Sequence, residues 1–171
     1  LYANLLLAAE IGLAPYREIC DRTIGPPDLL VGERLFSRSA HGLPFFDRDA
    51  WGSEGKSILD RLLTIEEKAT GWSEHTARLI PGLGFPIVAS TTTFDQTNAS
   101  FALLRRVKDH CPDVLTLIGG TNCDAGMADG IVSLDPDRDC LDYIFSGESE
   151  QALPEFLQSL SVGDLPRGRI V

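Results

Sequence analysis

Apolar and polar positions along this chain follow two different periods, and each change of period marks an element. Phe85-Pro86-Ile87-Val88-Ala89-Ser90 is a short apolar run with β-branched members, which predicts a strand, and the polar stretch Thr91-Thr92-Thr93-Phe94-Asp95 follows at once. A helix is expected from about Gln96 with Asp95 as its cap, because a carboxylate there can accept hydrogen bonds from unpaired first-turn N–H groups. Phe101, Leu104 and Val107, with Leu103 beside them, give that helix one apolar face, and the face needs a sheet to cover it. The same order recurs twice. Val114-Leu115-Thr116-Leu117-Ile118 predicts a buried strand, Gly119-Gly120-Thr121-Asn122 a tight polar turn, and Met127 to Leu134 part of a helix. Leu141-Asp142-Tyr143-Ile144-Phe145 predicts a third strand and Ser146-Gly147-Glu148-Ser149 its turn. Gln151 to Leu160 then reads as a helix with Pro154 in its first turn, where a missing N–H costs little.

Three strand-turn-helix units in series predict an α/β fold, a parallel sheet with helices on its faces. In open sheets of this type the loops leaving the strands' carboxyl ends line the binding crevice, so the three turns are expected side by side. They are rich in Thr, Ser, Asn and Gly. Such turns suit a neutral or phosphate-bearing ligand approached by backbone N–H and hydroxyl groups, and they offer no catalytic cluster. A helix start pointing into the crevice would aid a phosphate.

The first half of the chain reads differently. Gly25-Pro26-Pro27-Asp28 is a breaker, with Asp28 a candidate cap for a helix that docks through Leu30, Leu35 and Phe36 and ends near His41-Gly42. Leu43-Pro44-Phe45-Phe46 reads as extended. From Ser57 to Ile80 the apolar positions Ile58, Leu62, Ile65, Ala69, Trp72 and Leu79 recur at helical spacing, with Gly71 expected to break the run into two helices. Residues 28–81 thus form a helical insert and 85–171 the main βα units, within one domain spanning 1–171. Asp164 to Gly168 reads as a turn into a last short strand, Arg169 to Val171.

Composition narrows the partners. At 171 residues with 43% hydrophobic content and 23% charge, the chain has the makings of one domain with a real core. A net charge of −10, from 25 acidic and 15 basic residues, argues against nucleic acid or an anionic membrane surface and suits a basic peptide segment better. Leu5-Leu6-Leu7-Ala8-Ala9 is broken by Glu10, far short of a bilayer span, and lacks the basic flank of a signal peptide. Cys20, Cys111, Cys123 and Cys140 show no CxxC pair and no metal-ligand spacing, so they read as reduced, partly buried thiols of a cytoplasmic protein. Cys123, at a helix start, has two readings: a reactive thiol of lowered pKa, or the commoner packed one. His41, His75 and His110 read as surface or cap residues, so no metal site is expected. The absence of a GxSxG elbow and of a GxGxxG turn argues against a stand-alone hydrolase or dehydrogenase.

The turn sequences also carry a resemblance. Thr91-Thr92-Thr93-Phe94-Asp95-Gln96-Thr97-Asn98-Ala99-Ser100, Gly119-Gly120-Thr121-Asn122-Cys123-Asp124-Ala125-Gly126-Met127 and Ser146-Gly147-Glu148-Ser149-Glu150 occur in this order. Together they closely resemble the N-terminal cobalamin-binding-type domain of radical SAM enzymes that mature ribosomally made peptides, and Leu30-Val31-Gly32-Glu33-Arg34-Leu35-Phe36 is similar to a further segment of it. The four motifs cover most of the chain. The resemblance implies a Rossmann-like (flavodoxin-like) sheet that holds cobalamin ahead of a radical SAM barrel, in a peptide-modifying enzyme that is often a C-methyltransferase. The cofactor-binding positions it implies are Thr91, Thr92, Thr93, Phe94, Asp95, Gly119, Gly120, Thr121, Asn122, Ser146, Gly147 and Glu148.

For several of these a plainer role stands beside the implied one. Thr92, Thr93 and Asp95 contact a corrin amide or the nucleotide tail, or Asp95 caps its helix and the threonines close the turn, and the two roles can coexist. Glu148 either accepts from a corrin amide or ribose hydroxyl, or is a first-turn acid favoured by the helix dipole. Gly119 and Gly120 serve in either case, and Gly120→Val is expected to abolish corrinoid binding with the fold largely intact.

The chain departs from its likenesses in two ways. The DxHxxG motif that supplies a cobalt-ligating His in other corrinoid modules is missing, so a base-off cobalamin without protein His ligation is implied. The CxxxCxxC motif of a radical SAM barrel is missing too, so the chain alone is not expected to catalyse: either S-adenosylmethionine and the 4Fe-4S cluster belong to a barrel outside this sequence, or the protein has no such barrel. Beginning on Leu1, the sequence reads as a piece of a larger enzyme. In the family a strand and helix precede the region resembling Leu1 to Tyr16, so the first βα unit is expected to be missing, with Leu1 to Leu7 in or near the second strand. A helix capped by Asn4 and running into Glu10 has nearly equal local support. The expected partners are the barrel and a precursor peptide. The competing function is a degenerate scaffold that binds no cobalamin and docks the peptide or the barrel.

Overall fold

The computed structural model describes residues 8–9, 12–14, 16–17, 27–42, 56–94 and 96–171, with backbone alone for 27–32 and 56–59. The readings of Leu1 to Leu7, Cys20, Gly25-Pro26, Leu43 to Phe46 and Asp95 fall outside the described residues. The chain divides into two compact units, Leu1–Thr76 with Asp95–Leu103 and Ala77–Phe94 with Leu104–Val171.

The first unit is helical. Helix α1, Pro27–His41, starts on its proline, whose fixed φ suits the first helical position. Asp28 therefore lies inside the helix rather than capping it. Gly42 ends α1 with a φ of 72°, its N–H donating to the Arg38 carbonyl at 2.8 Å. Helix α2, Lys56–Leu79, runs unbroken through Gly71, contrary to the break expected there. One interior glycine costs a helix only about 1 kcal/mol, too little to end it when both flanks carry a buried stripe. Leu62, Ile65 and Ala69 form that stripe, whereas Leu79, placed on it by spacing, is exposed. Leu35 and Phe36 of α1 are buried, and Phe36 meets the Trp72 ring edge-on at 5.8 Å between centroids. The buried Glu66 is matched by Arg38 Nε at 3.0 Å.

Helix α3, Thr97–His110, begins in this unit with a cap from far away in sequence. The N–H groups of Thr97 and Asn98 donate to Glu33 Oε1 and Oε2, each at 2.7 Å, and Asn98 Nδ2 donates to the Glu33 carbonyl at 2.7 Å. The carboxylate meets the positive end of the helix dipole and satisfies two first-turn donors. His41 pairs through Nε2 with Asn98 Oδ1 at 2.8 Å, and its ring lies 5.3 Å from that of Phe101.

The second unit carries the sheet. Strands β1, Ile87–Thr91, β2, Leu115–Gly119, and β3, Tyr143–Ile144, run parallel in the order β1-β2-β3. Helix α4, Gly126–Leu134, connects β2 to β3, and α5, Ser149–Val162, follows β3. Ile170 adds a parallel bridge to Ile144, where the last short strand was expected. The structure is therefore mixed α/β with a small parallel sheet. Alternation places Leu117 and Tyr143 on one face and Ile118 and Ile144 on the other, all buried. Phe156 of α5 covers the first face, its ring 4.9 Å from Tyr143 and 5.4 Å from Phe145.

Element ends differ from the expected ones for local reasons. β1 begins at Ile87 because Phe85 is exposed behind a short 3-10 turn, Pro81–Leu83, that closes on Gly84 at φ 69°. Thr91 and Gly119, assigned to turns by sequence, end their strands opposite one another. β3 is shorter than Leu141 to Phe145 because the Asp142 side chain takes the Thr116 N–H at 2.8 Å, a donor that a longer ladder would use. Pro154 is not in the first turn: α5 starts at Ser149, making Pro154 its sixth residue and leaving the Glu150 carbonyl without a helical donor. Glu150 is exposed, so water can serve that carbonyl. Among the described residues, no helix is long and apolar enough to cross a membrane.

Candidate functional site

The carboxyl ends of β1, β2 and β3 release the three turns, and these converge on one groove of the second unit. An outer cavity of about 540 Å³ is walled by Thr91 of the first turn, Gly120, Thr121 and Asp124 of the second, and Gly147 and Glu148 of the third, with Ser149, Glu150 and Leu153 from the start of α5. An inner cavity of about 320 Å³ shares Thr91, Gly120, Ser149 and Leu153 and continues over Ala89, Leu117, Gly119 and Phe145. Both volumes lie within the range of roughly 300–1,000 Å³ usual for small-molecule sites. The inner half is apolar because alternation puts Ala89, Leu117 and Gly119 on one sheet face, two of them with little or no side chain.

Hydrogen bonds tie the turns to each other. Thr92 is fully buried, and both its N–H and its Oγ1 donate to the Gly119 carbonyl, at 2.7 and 3.0 Å. Thr92 thus closes the turn. Asn122 N–H donates to the Thr92 carbonyl at 3.3 Å, and the Asn122 amide spans the Phe94 backbone, accepting from its N–H at 3.1 Å and donating to its carbonyl at 2.6 Å. Ser146 Oγ accepts from the Ala125 N–H at 3.1 Å, joining the third turn to the second. Thr93 is half-buried and does not wall either cavity.

Gly120 is demanded twice over. Its φ is 99°, and a Cβ placed on it would lie 2.4 Å from the Thr92 carbonyl oxygen and 2.8 Å from Thr91 Oγ1. Gly120→Val therefore breaks the turn itself and does not leave the fold intact as expected from sequence. Gly119 is less constrained, with an added Cβ 3.4 Å from the Phe145 Cβ.

Of the residues singled out in the sequence, Thr91, Gly119, Gly120, Thr121, Gly147 and Glu148 wall the groove, while Thr92, Asn122 and Ser146 hold its turns in place. Sequence reasoning missed Ala89, Leu117, Asp124, Phe145, Ser149, Glu150 and Leu153. For Ser149 and Leu153 a signal was present, since residues four apart on a helix share a face.

Electrostatics sharpen the picture. Asp124, Glu148 and Glu150 give the outer wall three acidic side chains, and no Lys or Arg is among its described residues. Hydrogen-bond donors without negative charge suit such a wall; a phosphate does not. Two first-turn N–H groups of α3 are engaged by Glu33. Burial raises the Cys123 thiol pKa against the opposing effect of the Thr92 contact at 3.5 Å, so the packed-thiol reading holds. Burial, reinforced by the charge of Asp135, pushes Cys140 up to about 12. Among the described residues, no cluster of three or more His, Cys, Asp or Glu could hold a metal ion.

Compared with protein-family models, curated proteins and solved structures, the chain matches none of them.

Proposed function

We propose that this chain is the cobalamin-binding module of a radical SAM peptide-modifying enzyme, a C-methyltransferase whose barrel lies outside this sequence. The observation that carries the reading is the convergence of all three turns on one groove at the carboxyl ends of parallel strands. That is where a Rossmann-like, flavodoxin-like sheet holds its ligand. The turns are also the segments that carry the family resemblance.

The walls suit a corrinoid in two respects. Gly120 and Gly147 present bare backbone to an approaching macrocycle, and Asp124, Glu148 and Glu150 offer acceptors for the primary amides at a corrin's periphery. Thr121 and Ser149 supply hydroxyls. What cobalamin supplies when bound is a cobalt centre able to carry a methyl group; the chain's own part is to grip the amides and seat the macrocycle against the sheet end.

The test is an absorbance titration of the full chain with hydroxocobalamin, followed by gel filtration to detect co-migrating colour. Saturable binding is expected, with a spectrum lacking a coordinated base. Leu153→Trp, which fills the junction of the two cavities from a partly exposed helix position, is expected to weaken binding at least about tenfold, the loss of one good anchor contact. Absence of co-migrating colour, or binding indifferent to Leu153→Trp, overturns the assignment.

The acidic outer wall also favours a second reading, a scaffold that docks a basic segment of the precursor peptide. That reading predicts peptide binding that weakens with salt and no colour change with hydroxocobalamin.

A further inference from the structure

The third turn has the least support from the sheet. β1 and β2 pair over five residues, whereas β3 is two residues long and meets β2 only through Tyr143 with Leu117 and Ile144 with Ile118. Yet the chain leaving β3 supplies Gly147, Glu148, Ser149, Glu150 and Leu153, more than half of the residues that wall the outer cavity. A binding site must hold its contacts to within about 0.5 Å, and two rungs of ladder aim a turn poorly.

The further support comes from the tail. Ile144 N–H donates to the Arg169 carbonyl at 2.7 Å and Val171 N–H to the Ile144 carbonyl at 2.9 Å, so residues 169–171 lie along β3 as a parallel segment. One bond reaches the turn itself: Ser146 N–H donates to the Val171 carbonyl at 3.1 Å. The tail is in turn held by a buried ion pair. Arg169 Nη2 meets Asp135 Oδ2 at 2.8 Å, the two side chains being 11% and 2% exposed. The same Nη2 donates to the Leu141 carbonyl at 2.8 Å, and Nη1 donates to the Asp135 carbonyl. Asp135 also accepts from the N–H groups of Asp139 and Leu141, each at 3.0 Å. One carboxylate therefore pins both the loop entering β3 and the segment beside it. A buried ion pair adds little net stability over apolar packing of the same volume, and its best-attested use is to fix one register. Register matters here, because Ile144 with Ile170 is the tail's single bridge among the described residues.

We infer that Arg169 and Asp135 are positioning residues of the groove: their ion pair sets the tail's register on β3, and the tail, through its bond to Ser146, aims the third turn and the start of α5 at the ligand. For the identity of that ligand the inference rests on the corrinoid reading above. Neither side chain walls either cavity, so both act through the backbone.

Hydrogen exchange and hydroxocobalamin titration of the full chain test this with Arg169→Met, Arg169→Lys and, as a control, Val107→Ala, a buried position of the same unit outside the tail and the groove walls. Arg169→Met is expected to speed exchange of the Ser146 amide by about tenfold or more, while the amides of β1 and β2 keep the parent's rates, and to weaken binding by about tenfold. Arg169→Lys, which keeps the charge but not the fork, should lie between Arg169→Met and the parent. Val107→Ala should lower the melting temperature yet bind within about twofold of the parent, which separates positioning from loss of stability. Parent-like exchange or parent-like affinity in Arg169→Met overturns the inference while the corrinoid reading stands, as does an equal loss of affinity in Val107→Ala. If the parent binds no hydroxocobalamin, the corrinoid reading fails and the tail's part in binding fails with it. Should Arg169→Met not fold, Val171→Pro decides: it removes the N–H given to Ile144 and is expected to weaken binding several-fold, and unchanged affinity overturns the inference.

Discussion

At the scale of single residues, space and charge decide outcomes that residue type alone leaves open. Gly120 and Gly71 are both glycines, yet one is required and the other is not. At Gly120 a Cβ meets backbone at 2.4 Å under a φ of 99°, whereas at Gly71 nothing lies within 4 Å. Gly120→Ala is therefore expected to destabilise the chain by about 2 kcal/mol or more, through strain and clash together. Gly71→Ala should stabilise it by about 0.5–1 kcal/mol, as in any exposed helix interior. Urea unfolding of both variants checks the opposite signs. Asp142 offers a second test. Burial pulls its carboxyl upward, but Lys108 Nζ at 2.7 Å and donors from Thr116 outweigh that effect and hold its pKa below the ordinary 3.8. A depressed folded pKa means that the unfolded chain binds the proton more readily, so the stability from this group is present above pH 3.8 and is lost as pH falls through and below it. Unfolding measured between pH 6 and pH 3 should therefore show a steeper acid loss in the parent than in Asp142→Asn, and parallel curves would contradict the assignment.

At the scale of elements, the sequence carried the repeating order of strand, turn and helix well because each unit obeys a local period. Phe101, Leu104 and Val107 are buried as their spacing requires, as are Leu117 and Ile118 of the second strand. The ends were less legible because distant residues set them. Nothing near Thr97 announces that its N–H will be capped by Glu33, 64 residues earlier, and nothing near Leu141 announces that Asp142 will turn its carboxylate onto β2. Gly71 and Pro154 failed for another reason: a residue that weakens a helix does not end it when the flanking turns are anchored. The Glu33 cap makes a definite expectation. Glu33→Ala leaves two first-turn donors of α3 without their carboxylate and should lower stability by about 1–2 kcal/mol, more than an ordinary exposed helix substitution. Glu33→Gln, which keeps one acceptor, should lie between Glu33→Ala and the parent. Urea midpoints give the order, and a neutral Glu33→Ala would show that water replaces the cap without loss.

For the molecule as a whole, charge links the candidate site to its ligand. The crevice was readable as three turns at strand ends because parallel topology brings those ends together, but its acidic character was not. Asp124 and Glu150 are separated by 26 positions in the sequence, and only the fold places both on one wall with Glu148. The net charge of −10 adds a long-range field of the same sign. A cationic ligand is drawn to such a site, and a neutral one of the same shape is not. Aquocobalamin carries a positive charge at mildly acidic pH, while cyanocobalamin is neutral and presents the same peripheral amides. If the groove holds the corrinoid against its acidic wall, raising the salt from about 20 mM to about 500 mM should weaken aquocobalamin binding several-fold, because the screening length shrinks from roughly 20 Å to roughly 4 Å. Cyanocobalamin affinity should change little over the same range. Titrations of both forms at pH 6 separate charge from shape, and equal salt responses would place the corrinoid away from Asp124, Glu148 and Glu150.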